Sequence, residues 1–85
     1  MSIWKFQFKV DDRVTIDMPA GAKILHVELQ NGVPCLWALV DTSAEPEPRK
    51  FLIFGTGHPI SGAIAVTAAH VATFQQGPFV WHMFE

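Results

Sequence analysis

The residues best equipped for chemistry in this 85-residue chain are four histidines, at 26, 58, 70 and 82, and they lie too far apart to declare a metal site. Zinc-binding sequences carry ligands in close pairs, H-x-H or H-x-x-x-H on a helix, because one local turn then aims both imidazoles at one ion. No such pair occurs, so neither a metal nor any other cofactor is expected. The twin H-x-S or H-x-T arrangement of phosphoesterases is missing too, since Pro59-Ile60 follows His58 and no second copy exists. Cys35 has no partner for an internal disulfide and reads as a buried, inert thiol of a reducing compartment.

Two segments look suited to holding a ligand. Gly55-Thr56-Gly57-His58-Pro59 follows an apolar run, and glycine-rich backbone in that position can turn N–H groups toward an anion while Thr56 and His58 add side-chain donors. It is not a P-loop, because no Gly-Lys-Ser/Thr follows, nor does it match G-x-G-x-x-G. A tight turn that needs glycine geometry accounts for the same residues. Gln75-Gln76-Gly77-Pro78-Phe79-Val80-Trp81-His82 sets two amides beside aromatics, a combination that can hydrogen-bond to and stack on a base. The plainer alternative is a hairpin whose Phe79, Trp81 and Met83 fill the core. Arg13, Arg49 and Lys50 fall in expected loops, where they either meet phosphates or are simply solvated. The candidate ligand-binding set is therefore Thr56, Gly57, His58, Gln75, Gln76, Trp81, His82 and Arg49, with no catalytic residue assigned.

These side chains must be positioned by strands. Trp4, Phe6, Phe8 and Val10 alternate with Lys5, Gln7 and Lys9, as a half-buried strand requires. After Asp11-Asp12-Arg13, a second alternation runs from Val14 to Met18 and stops at Pro19-Ala20-Gly21. A third strand, Ile24 to Gln30, is expected to turn Leu25, Val27 and Leu29 one way and His26, Glu28 and Gln30 the other. Asn31-Gly32 is a strong hairpin signal, because both residues tolerate positive φ. The strand beyond it, Val33 to Asp41, and the run Phe51 to Phe54 are apolar on both faces and call for cover on both sides. In particular, Trp37 and Leu39 should be buried by an excursion of the chain, a subunit or a ligand. Thr42 to Lys50, with two prolines and mixed charge, reads as an exposed loop. Ser61 to Ala72 reads as an irregular or briefly helical excursion, because its five alanines favour helix and its Val, Ile and Thr favour strand. Strands from about His70 to Phe74 and from Phe79 to Phe84 close the chain.

Seven short β segments imply a single all-β domain over residues 1–85, a small antiparallel barrel or two-layer sandwich with room for one short helix around 62–70. Its composition is unusually greasy, with 49% apolar and 16% charged residues, three Trp and seven Phe. An average soluble domain is roughly 25% charged. Some apolar surface is thus expected to be covered by another subunit or a ligand, and a homo-oligomer is expected. A net charge of −2 with scattered cations argues against general nucleic-acid binding. The opening residues form no signal-peptide core, and no span of 18 apolar residues occurs, so a cytoplasmic protein with no membrane partner is expected.

The segments Asn31 to Asp41, Phe54 to Ile60 and Thr73 to Glu85, with the opening Ile3-Trp4-Lys5-Phe6, resemble small uncharacterised proteins encoded by tailed bacteriophages and prophages. The resemblance brings no catalytic residues with it. It implies an accessory protein of the kind that inhibits host defence, either by binding a host protein or by sequestering a nucleotide immune signal. The leading expectation is a non-catalytic anti-defence protein that binds a small nucleotide-derived signal in a pocket at or near a subunit interface. An alternative is a protein-interaction module that blocks a host factor or assists phage assembly. A third is a small nucleotide hydrolase or lyase with His58 or His82 as general acid or base, although it lacks a nucleophile motif, a carboxylate dyad and a metal signature.

Overall fold

A computed structural model describes residues 1–85. The chain forms β1 (Ser2–Gln7), β2 (Arg13–Pro19), β3 (Lys23–Gln30), β4 (Val33–Val40), β5 (Pro46–Gly55), α1 (Gly62–Thr67), β6 (His70–Gln76) and β7 (Phe79–Phe84). Two antiparallel sheets result, ordered β1-β4-β3 and β2-β5-β7-β6. Both contribute to one cluster of buried apolar side chains, in which Leu36, Ala38 and Val40 of β4 meet Val14, Ile16 and Met18 of β2, Phe51 and Ile53 of β5, and Met83 of β7. The architecture is an all-β sandwich, one of the two arrangements, barrel or sandwich, that the alternating pattern leaves open. No helix is long and apolar enough to cross a membrane.

The turns form where their residues demand it. Asn31 (φ 52°) and Gly32 (φ 79°) both take the left-handed conformation of a type I′ hairpin between β3 and β4. Gly77 (φ 56°) opens the two-residue loop between β6 and β7, and Pro78 follows in the position that suits its fixed negative φ. α1 is a six-residue helix capped by Ser61, whose Oγ accepts from the Ile64 N–H.

Five expectations shift. β6 runs on past Phe74 to Gln76, so Gln75 and Gln76 are paired strand residues and the turn shrinks to Gly77-Pro78. β1 runs from Ser2 to Gln7, not to Val10, although Phe8 stays buried. A β-bulge between Ile24 and His26 changes the inward set of β3, so Ile24, Val27 and Leu29 point to the core and Leu25 is left 45% exposed. β5 begins at Pro46, inside the segment read as a loop. The Ile53 N–H donates to the Asp12 carbonyl, so odd-numbered residues of β5 turn their N–H groups to β2. Pro46 and Pro48 therefore present their missing donors to the opposite side, which β7 does not reach because it pairs only with Leu52 to Gly55. Finally, β4 is central, as its apolar faces require, yet Trp37 and Leu39 on its outer face are only half-buried. The His26 ring lies beside Trp37, with centroids 6.2 Å apart.

Candidate functional site: an aromatic cleft at His58

The β6–β7 hairpin sets Gln76 opposite Phe79 and, by the two-residue period, directs Phe79, Trp81 and Met83 to one face. Burial falls along that face from fully buried Met83 through half-buried Trp81 to Phe79, which is 57% exposed. The Phe79 and Trp81 rings stack at 5.4 Å with an interplanar angle of 21°. The indole N–H of Trp81 donates to Gln76 Oε1 at 3.3 Å, leaving the Gln76 amide nitrogen available.

His58 joins this group through the turn that ends β5. The His58 N–H donates to the Gly55 carbonyl at 3.0 Å, and Gly57 (φ 87°) supplies the positive φ that the turn needs. The side chain folds back, so that Nδ1 accepts from the Gly55 N–H at 3.3 Å and the neutral ring carries its proton on Nε2. A Cβ on Gly55 would stand 2.9 Å from His58 Cε1 and 3.3 Å from Trp81 Cζ3. Glycine at 55 is thus what lets the imidazole lie against the strand end beside Trp81.

The result is a cleft of about 370 Å³ between His58, Gln76, Phe79 and Trp81 on one side and Val10, Asp11 and Asp12 on the other. Two further depressions also have His58 on their walls: one toward Thr56 and Pro78, the other toward Arg13, Pro59 and Ile64. An aromatic stack, an amide, an imidazole N–H and two carboxylates can together hold a flat ring that carries hydroxyl or amino donors. Anionic groups are disfavoured beside Asp11 and Asp12 and would find Arg13 in the adjoining depression.

The candidate set thus separates by location. His58, Gln76 and Trp81 come together, and Phe79, Asp11 and Asp12, absent from that set, join them. Gln75 lies on the opposite face of β6, where its amide donates to the Gly77 carbonyl. Gly57 is the turn tip. Arg49 is remote from the cleft: it donates to both carboxylate oxygens of Glu85, at 2.8 Å from Nη2, and to the Ala22 carbonyl, also at 2.8 Å. The Glu85 carboxylate raises the Arg49 pKa above its ordinary value. Cys35 is fully buried, with its thiol against the Val33 carbonyl.

Thr56 and His82 belong to a second constellation on the outer face of the four-stranded sheet. Thr56 Oγ1 is 2.7 Å from His82 Nε2, His82 Nδ1 is 3.0 Å from Thr73 Oγ1, and Thr73 Oγ1 is 2.9 Å from His70 Nε2. The Phe84 ring packs edge-on against both His70 and Phe54. Thr73 was legible in principle, because counting back from the Gly77-Pro78 loop sets it opposite His82. His70 was not, because the bulge between His70 and Ala72 shifts the register. No group of three or more His, Cys, Asp or Glu side chains is placed to hold a metal ion.

A family model described as a domain of unknown function (DUF7352) matches residues 1–85. No match is found among curated proteins or among solved structures.

Proposed function

We propose that this chain, which belongs to the DUF7352 family, is a phage accessory protein that binds a small nucleotide-derived immune signal in the His58 cleft and holds it without turnover. The observation that carries this reading is the stacked Phe79–Trp81 pair, whose outer ring is more than half exposed. A strand aromatic that only fills a core would be covered, whereas an uncovered ring is a platform for a base, worth about 1–3 kcal/mol per base stacked. Gln76 and His58 add donors at its edge, and carboxylates such as Asp11 and Asp12 accept from ribose hydroxyls. Titration calorimetry against a panel of cyclic and ADP-ribose-type nucleotides tests this, followed by denaturation of the protein and recovery of the ligand. Saturable binding and intact ligand are expected. Silence across the panel at high protein concentration would sink the proposal, and altered ligand would reject pure sequestration.

A second reading rests on a specific geometry. Thr56, His82 and Thr73 stand in the order hydroxyl, imidazole, orienting group, which is the arrangement of an activated nucleophile. It makes the protein a small hydrolase acting on its outer sheet face. That reading requires altered ligand in the recovery experiment and its loss in His82→Asn.

A further inference from the structure

We propose that two copies of this chain associate edge to edge through β1, in the register that sets Trp4 opposite Trp4 of the second copy across a two-fold axis. Of the four outermost strands, β3 and β6 lie against each other, which leaves β1 and β2 as free edges. β2 is finished as an edge: Val14, Ile16 and Met18 are all buried and the opposite face is polar. β1 is not. Trp4 sits on the core side of its sheet, opposite fully buried Ala38, yet remains 41% exposed, and Ile3 on the outer face is 60% exposed.

The backbone fixes how a second strand can bind. The Phe8 N–H donates to the Pro34 carbonyl at 3.0 Å in the same register that pairs β1 with β4. Even-numbered residues of β1 therefore turn their hydrogen-bonding groups toward β4, while Ile3, Lys5 and Gln7 turn theirs to the open edge. Natural edges are commonly guarded by a lysine. Here the Lys5 ammonium is drawn over the sheet face to Gln30 Oε1 at 2.8 Å, away from the edge.

A two-fold axis normal to the sheet keeps each face on its own side, so only registers that oppose residues of equal parity are allowed. Centring on Lys5 sets two lysines directly opposite and confines both ammonium groups to their Gln30 contacts, and centring on Phe6 puts Trp4 opposite Phe8, beyond the end of β1. Centring on Ile3 leaves Trp4 facing Ser2 and still uncovered. Centring on Trp4 makes two reciprocal Ile3–Lys5 pairs, each exchanging both backbone hydrogen bonds. It also puts the two indoles at the non-hydrogen-bonded position, where side chains approach most closely.

The molecule is also more open than a compact monomer of its size. The chain exposes 5460 Å², against roughly 5,000 Å² for a monomer of its mass. Its radius of gyration is 13.2 Å, against about 12 Å for a compact chain of this length.

Light scattering over a concentration series, with Lys5→Pro and Lys5→Ala beside the wild type, tests the interface. Proline at 5 removes an N–H that faces the open edge and leaves the ladder to β4 intact. The wild type and Lys5→Ala are expected at twice 9.4 kDa and Lys5→Pro at the monomer mass. A monomeric wild type at every concentration, or a dimeric Lys5→Pro, overturns the proposal. If Lys5→Pro fails to fold by circular dichroism, amide exchange on the wild type decides. Ile3 and Lys5 amides should be protected at high concentration and lose that protection on dilution, while Trp4 and Phe6 stay protected throughout. Fast exchange at Ile3 and Lys5 at high concentration refutes it.

Discussion

Replacing Gly55 by alanine should empty the cleft of His58 at little cost to the fold. Gly55 is buried at the end of β5 and does not use a positive φ, so the backbone there accepts a side chain. The added Cβ would lie 2.9 Å and 3.0 Å from His58 Cε1 and Nδ1, and 3.3 Å from Trp81 Cζ3. The imidazole is the far end of an exposed side chain and can swing away, and the edge of Trp81 has only a few tenths of an ångström to yield. What is lost is the hydrogen bond from the Gly55 N–H to His58 Nδ1, about 0.5–1.5 kcal/mol. For a domain of this size, 1 kcal/mol corresponds to a fall in Tm of about 4–8 °C. Ligand affinity should fall further, by about tenfold or more, because His58 leaves the wall shared by all three depressions. Calorimetric melting, ligand titration and the His58 ring resonances in NMR check the three parts together. A His58 ring that stays in place with affinity unchanged contradicts a role for Gly55 in seating the imidazole, and destabilisation beyond about 3 kcal/mol would mean that the core cannot accommodate the methyl group.

Other consequences separate the cleft from the scaffold. Phe79→Ala should cost only about 0.5–1.5 kcal/mol of stability, the worth of its stack on Trp81, yet weaken nucleotide binding roughly 5- to 150-fold, the equivalent of one lost base stack; urea melts and calorimetry measure the two. Arg49→Ala should do the reverse, costing about 1–3 kcal/mol through the lost bonds to Glu85 and the Ala22 carbonyl with ligand affinity unchanged. The Asp41 carboxylate accepts from the hydroxyl and the N–H of Ser43, and these bonds hold its pKa below the ordinary value of 3.8. Its contribution is therefore complete above that value and is lost as pH falls toward the lowered one. Asp41→Asn should flatten that part of the acid limb in a stability–pH profile.

The fold was legible where local chemistry and the period of two agree. Asn31-Gly32 and Gly77-Pro78 mark both two-residue hairpin loops, and the alternation of Val14, Ile16 and Met18 matches their burial. It was not legible where a sheet neighbour decides. Pro46 and Pro48 look like loop residues until their side of β5 proves to be unpaired, and Leu25 looks inward until the bulge turns it out. The site divides in the same way. His58, Gln76 and Trp81 were visible as residue types, and the period of two separates His82 from Trp81; Gln75 and Gln76 part to opposite faces only because β6 runs on beyond Phe74. Asp11 and Asp12 looked like an ordinary turn, and only the packing of the β1–β2 connection against His58 and Phe79 brings them to the cleft.

Under the proposed function, a nucleotide-derived ligand lies on the Phe79–Trp81 stack. The most direct measurement follows the three indole N–H resonances during titration with the nucleotide panel, since Trp81 donates its indole N–H to Gln76 beside the cleft while Trp4 and Trp37 lie in the other sheet. A saturable shift of the Trp81 resonance, with Trp4 and Trp37 unmoved, is the predicted result. Saturable binding that leaves Trp81 unshifted, or no binding by any nucleotide, contradicts it.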